Sequence, residues 1–275
     1  MKYKAIFCDF DGTIYRDDHT ISQTNKDAIT KYVEAGGKFI VSTGRLFSAI
    51  YPKVLELNLD KEVIVYQGAG IYDIKSKEQI FGQYFNREDA VKALKYVEAM
   101  GEDYVPLVYI NDTCHAQKKS DYVEEFVKIC NIPYKTTGVP LSKYVANCKD
   151  KPVKVIVLMQ SELCDAFVTK GKEDFPNLAF MRSHVCIVEI ITKGINKGLA
   201  ISWLCDRYGI SIEDTIAIGD SENDIAMIKA AGLGVAMGNA MPLVKQSADY
   251  IADTNDNDGV AKVIYEFCLN GEDNE

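Results

Sequence analysis

Short apolar runs alternate with amphipathic helical patterns at both ends of this chain, and that rhythm restricts the fold more than any other feature. "KAIFC" (4–8), "KFIVS" (38–42) and "EVIVY" (62–66) are the early runs; "TIAIGD" (215–220) and "LGVAM" (233–237) are the late ones. Helical patterns occupy 22–35, 45–58, 196–210, 222–232 and 258–269. Ser22 is the expected cap of the first, and Gly36–Gly37 its stop. Strands that are apolar throughout need cover on both faces. The alternation therefore predicts an α/β core, a parallel sheet between two helical layers.

The middle of the chain is patterned differently. A hairpin is expected over 71–85 around "IKSKEQ", then a helix at 86–100 capped by Asn86. Strand-like pieces at 104–110 and 114–117, a helix at 121–130, a strand at 153–159 and a helix at 161–171 follow. The runs "LAFMRS" and "CIVEII" complete the section. This mixture predicts an inserted α+β domain over 83–190, with the core split between 1–82 and 191–275. "NGEDNE" (270–275) reads as a loose acidic tail.

Composition limits the partners. With a net charge of −9 and a pI of about 5.0, the surface repels phosphodiester backbones, so no nucleic-acid partner is expected. No stretch approaches the roughly 20 apolar residues of a membrane span, and Asp9 and Asp11 interrupt the first apolar run, so neither a leader nor a membrane partner is expected. The eight cysteines form no CxxC pair and read as reduced thiols. A cytoplasmic protein, monomer or small homo-oligomer, is the resulting expectation.

Ligands of an open parallel sheet bind outside the carboxyl ends of its strands. The first strand runs into Asp9-Phe-Asp11-Gly12-Thr13, the second into Thr43-Gly44-Arg45, and a late one into Gly219-Asp220-Ser221-Glu222-Asn223-Asp224. Asp9, Asp11, Asp220 and Asp224 are thus expected at one sheet edge, where crowded carboxylates need a positive partner. Mg²⁺ suits such a hard oxygen set, and no His/Cys cluster has zinc-ligand spacing. The Thr43 hydroxyl, backbone amides at that turn and Lys197 suit a phosphate; Arg45 suits either a phosphate or an acid. A carboxylate aimed at phosphorus is a nucleophile, and a second carboxyl beside it can move protons. Gly12 allows the turn that separates two such acids.

Taken singly, each of these segments has a plainer reading. Asp-Gly is a common turn, GDSEND can cap a helix, and Lys197 alone is a solvated helix residue. His19 and His184 read as exposed histidines. The joint order is specific: DFDGT, STGR, a Lys within NKG, then GDSEND resemble the four motifs of the haloacid dehalogenase superfamily. The inserted module resembles the type-two cap of its Cof-type (IIB) branch, as does "EIITKGINKGLAI" (189–201), so the resemblance spans the chain.

It implies a Rossmann-like core, a substrate-selecting cap and a Mg²⁺-dependent phosphatase acting on a small phosphorylated metabolite through an aspartyl-phosphate. In that scheme Asp9 is the nucleophile and Asp11 the general acid/base. Thr43, Gly44, Arg45, Lys197 and Asn223 serve the phosphate. Asp9, Asp220 and the Asp11 carbonyl hold the metal, with Asp224 a ligand or neighbour. A phosphomutase or phosphotransferase using the same intermediate is one alternative, and a non-catalytic phospho-ligand-binding protein another. "VYQGAG" (65–70) departs from the branch, with Gln67 where Asn is usual, which bears on substrate preference.

Overall fold

A computed structural model describes residues 2–269. The tail at 270–275 and the His184 side chain lie outside the described residues. In chain order the elements are β1 (Ala5–Cys8), α1 (Gln23–Glu34), β2 (Lys38–Ser42), α2 (Phe47–Glu56), β3 (Glu62–Val65), β4 (Gly70–Asp73) and β5 (Gln79–Gly82). Then come α3 (Arg87–Glu98), β6 (Val105–Ile110), β7 (Thr113–Ala116), α4 (Asp121–Cys130), β8 (Tyr134–Thr136), α5 (Leu141–Asn147), β9 (Pro152–Leu158) and α6 (Ser161–Asp174). The chain continues with β10 (Leu178–His184), β11 (Ile187–Thr192), α7 (Lys197–Tyr208), β12 (Thr215–Gly219), α8 (Ile225–Ala230), β13 (Leu233–Ala236), α9 (Pro242–Lys245), β14 (Tyr250–Ile251) and α10 (Gly259–Ile264).

Two compact units result. The first holds the residues up to Arg45, Tyr51–Phe81 and those from Asn196 onward; the second holds Leu46–Ile50 and Gly82–Ile195. An eight-stranded sheet, ordered β14-β13-β12-β1-β2-β3-β4-β5, belongs to the first. Its strands from β14 to β3 are parallel, and β4 returns antiparallel to β3. The sheet is thus parallel only up to β3, because the loop after β3 is too short for a crossover helix and only a hairpin can follow. β1, β2, β3 and β12 are buried along nearly their whole length, as strands covered on both faces must be.

Register aligns the strand ends that matter. Cys8 lies opposite both Ile218 of β12 and Val41 of β2. The residues just beyond β1, β12 and β2, which include Asp9, Asp220 and Thr43, therefore emerge side by side. From β1 the chain winds one way through β2 and β3, and from β12 the other way through β13 and β14. That reversal is the switch point at which α/β sheets open a crevice.

Helix ends are tied down by specific side chains. Ser22 Oγ accepts from Asn25 N and caps α1. The first amides of α10 have no partner within that helix, and Ala261 N donates instead to Asn25 Oδ1 of α1 at 2.9 Å. Asn25 is fully buried.

The second unit has a six-stranded sheet, ordered β10-β11-β9-β6-β7-β8, antiparallel except for β7 with β8. Val108, Val155, Val157, Val188 and Ile190 on one face pack with Leu94 of α3, Val145 of α5 and Phe167 of α6. The alternate residues Tyr109, Lys154 and Glu189 share the other face by strand periodicity. Lys154 Nζ lies 2.9 Å from Glu189 Oε2 and 5.0 Å from the Tyr109 ring centre, and both charged side chains are buried. The short elements β8, α5, α9 and β14 carry no periodicity that the sequence reading could detect.

Replacing Asn25 with Leu keeps the branched shape of the side chain and orphans the Ala261 amide. Urea unfolding of that variant is expected to give a stability loss of about 1–3 kcal/mol. An unchanged midpoint would remove the α1–α10 tie from the account.

Candidate active site

At the end of β1 the chain places Asp9 in a buried position and then turns at Gly12, whose φ is +75°. A Cβ on Gly12 would stand 2.7 Å from Asp220 Oδ2, so only glycine lets the two loops meet this closely. The Asp220 carboxylate is held by two hydroxyls: Thr13 Oγ1 donates to Oδ1 at 3.0 Å and Ser221 Oγ to Oδ2 at 2.9 Å. Asn239, on a loop the sequence reading passed over, donates from Nδ2 to the Gly12 carbonyl at 2.8 Å.

Asp224 closes the turn after β12. Its Oδ2 accepts from the backbone amides of Asp220 and Ser221, both at 3.0 Å, which completes a capping box with Ser221. Its Oδ1 accepts from Lys197 Nζ, and Lys197 also donates to Asp9 Oδ1. Lys197 is the first residue of α7, with Asn196 capping that helix through Leu199 N, and it is 0 % exposed. The solvated-helix reading of this lysine is therefore excluded.

Asp9, Asp220 and Asp224 offer one carboxylate oxygen each within 4.8 Å of one another. Three carboxylates face one ammonium, and every donor is a hard oxygen, so the set fits a divalent cation of the magnesium type. The Asp11 carboxylate is not part of this group. It is 52 % exposed and meets Arg45 through both oxygens, with Arg45 Nε donating to Oδ2 at 2.8 Å and Nη2 to Oδ1. The guanidinium of Arg45 also lies over the rings of Phe10 and Tyr15. Arg45 is thus engaged by an acid of the same loop system.

Titration follows from this packing. Burial pushes the Asp9 carboxyl well above the usual range, the Asp224 charge adds to that, and Lys197 opposes it. Burial also penalises the Lys197 ammonium, but Asp224 and Asp9 outweigh that and raise its pKa above the ordinary value. Burial first, then the Asp224 charge, raises Asp220 to about 6.

Thr43 is buried at the end of β2, its Oγ1 accepting from Arg45 N at 3.2 Å. Gly44 is pressed against Gln67, since a Cβ there would lie 2.3 Å from Gln67 Nε2. Gln67 Oε1 accepts from Asn223 Nδ2 at 2.8 Å. The residues singled out from sequence are therefore gathered in the first unit, with Asp11 and Arg45 as a pair and Asp9, Lys197, Asp220 and Asp224 as a buried group. Thr13 and Ser221 were not singled out; their signal was a hydroxyl beside an acid in each motif. His19 is exposed.

The haloacid dehalogenase-like hydrolase family model matches residues 6–264, and the chain belongs to that family. It is 31 % identical over 268 residues to the 5-amino-6-(5-phospho-D-ribitylamino)uracil phosphatase YcsE of Bacillus subtilis, spanning 97 % of this chain and 96 % of that one. It is 29 % identical over 290 residues to the pyridoxal phosphate phosphatase YbhA of Escherichia coli, spanning 98 % and 100 %. The crystal structure of a haloacid dehalogenase-like hydrolase from Bacteroides thetaiotaomicron superposes with a TM-score of 0.83 at 29 % identity, covering 96 % of this chain and 99 % of that one. No helix among the described residues is long and apolar enough to cross a membrane.

Two outcomes test the geometry. Gly12→Ala forces Asp220 away and is expected to weaken Mg²⁺ affinity by at least about tenfold, read by titration calorimetry. The second concerns pH. Folded, metal-free Asp220 is protonated below about 6, whereas unfolded it is protonated only below about 4. Its own contribution to stability is thus present at low pH and lost as pH rises through 6. A cation needs the carboxylate, so the rise in Tm caused by Mg²⁺ is expected to grow from about pH 5 to about pH 7. Asp220→Asn should flatten that slope; a slope unchanged by the substitution would contradict the assignment.

Proposed function

We propose that this chain is a Mg²⁺-dependent phosphomonoesterase that transfers the phosphoryl group of a small metabolite to Asp9 and then to water. The observation that carries the reading is the buried Lys197 ammonium shared by Asp9 and Asp224 beside Asp220. A carboxylate held in this way has one oxygen fixed by the ammonium and the other available for attack on phosphorus. Magnesium held by Asp9, Asp220 and the Asp11 carbonyl, with Asp224 beside them, would supply charge neutralisation at the phosphoryl oxygens.

The chain's own groups divide the remaining work. Lys197 and the Thr43 hydroxyl receive the phosphoryl oxygens, and Asn223 adds an amide donor. Asp11 moves the protons. Both of its oxygens are taken by Arg45, so giving a proton to the leaving oxygen or taking one from the attacking water requires that pair to open. The difference between buried Asp9 and half-exposed Asp11 separates nucleophile from acid/base. The second unit, Leu46–Ile50 with Gly82–Ile195, is assigned the selection of the leaving group. The two named relatives, acting on a phosphoribitylaminouracil and on pyridoxal phosphate by their names, support a small phosphorylated metabolite as substrate class.

The test is orthophosphate release from p-nitrophenyl phosphate and from a panel of sugar phosphates, flavin mononucleotide and pyridoxal phosphate. Turnover is expected with Mg²⁺ and not with a chelator. Asp9→Asn is expected to lower kcat at least about a thousandfold with its circular dichroism unchanged. Retained turnover in that variant would exclude Asp9 as nucleophile. Isomerisation of a sugar phosphate without orthophosphate release would replace hydrolase by mutase.

A further inference from the structure

Tyr66, Gln67 and Gly68 have positive φ in succession, +55°, +60° and +93°. Residues with a Cβ rarely adopt this left-handed backbone, and two in a row persist only where their surroundings over-determine them. Those surroundings are the motif segments of the site. Tyr66 N donates to the Arg45 carbonyl at 3.2 Å and Gln67 N to the Thr43 carbonyl at 3.1 Å. Gly68 sits so close to α7 that a Cβ would stand 2.2 Å from the Asn196 carbonyl. This one strained turn therefore touches the segments that carry Thr43, Lys197 and, through the Gln67 side chain, Asn223.

The Gln67 side chain is buried and used at both ends. Its Nε2 end lies against Gly44, and its Oε1 accepts from Asn223 Nδ2 at 2.8 Å. The Asn223 amide nitrogen has two hydrogens, and Gln67 takes one. The direction of the other is then set by that bond. Asn223 Oδ1 is buried and has no hydrogen-bond partner among the described residues, so nothing on the oxygen side competes to orient the group.

The geometry points to Gln67 as a positioning residue that sets the Asn223 carboxamide so that its second N–H is presented to the phosphoryl group. Gln67 acts through Asn223 and is not itself a catalytic residue. The inference rests on the phosphatase reading above and on Asn223 meeting the phosphoryl group.

The experiment is a double-mutant cycle on p-nitrophenyl phosphate hydrolysis with Mg²⁺, using Gln67→Met, Asn223→Ala and the pair. Gln67→Met keeps volume and removes the acceptor; it is expected to lower kcat/KM about tenfold. Asn223→Ala should lower it at least as much, and the double variant should match Asn223→Ala within about twofold, because a positioning residue has nothing left to position. Gln67→Gly serves as the folding control. Glycine relaxes the backbone at φ +60°, which offsets part of the cavity left by the buried side chain. Its Tm should therefore fall below that of Gln67→Met by no more than a few degrees, while kcat/KM still falls about tenfold. Wild-type kcat/KM in Gln67→Met, or losses that multiply in the double variant, would overturn the inference. So would activity losses that track Tm across the set. Failure of the wild-type protein to release orthophosphate would instead overturn the phosphatase reading, and this inference with it.

Discussion

Everything near the catalytic edge depends on one buried ammonium. Lys197 Nζ is 0 % exposed and donates to Asp9 and to Asp224, which come from opposite ends of the sequence. Without it, carboxylates would be packed together out of water, and each would resist ionisation. Asp224 extends the arrangement by gathering the amides of Asp220 and Ser221 with its second oxygen. The lysine, the turn after β12 and the end of β1 are thus one connected unit. The stability of that unit is also what a metal or a phosphoryl group would meet.

The two acids of the first motif live in different media. Asp9 is buried among charges, while Asp11, two residues on, is half exposed and forked to Arg45. The separation is produced by the Gly12 turn, which carries the chain over the Asp220 carboxylate at a distance only a hydrogen can occupy. One short segment can therefore supply two carboxyl groups in different surroundings, which is what the proposed division into nucleophile and proton carrier needs.

Some of this was legible in the sequence and some was not. Uniformly apolar runs read as strands because burial on both faces leaves no room for polar alternation, and β2 and α4 match their expected bounds. The hairpin of β4 and β5 was visible through its turn residues, but its antiparallel attachment to the parallel sheet was not. The short β8, α5, α9 and β14 are specified by contacts rather than by period. Lys197 in isolation gave no sign of burial, since a lysine at a helix start is ordinarily solvated. The Lys154–Glu189 pair was invisible for the same reason: a charge in a strand pattern looks outward until a neighbouring strand supplies its partner.

By itself the sequence determined the α/β alternation, the interruption of the core by a differently patterned module, and the four segments that carry acids, hydroxyls and a lysine. These are local properties of spacing and side-chain chemistry. Only the tertiary structure decided which of those groups share an environment. It put Asp9, Lys197, Asp220 and Asp224 together and left Asp11 with Arg45. It also turned Gln67 onto Gly44 and Asn223 through a backbone conformation no propensity would select. Such pairings depend on strand register and on close approach between segments separated along the chain, by 34 residues for Asp11 and Arg45 and by 188 for Asp9 and Lys197, and neither is written into any one segment.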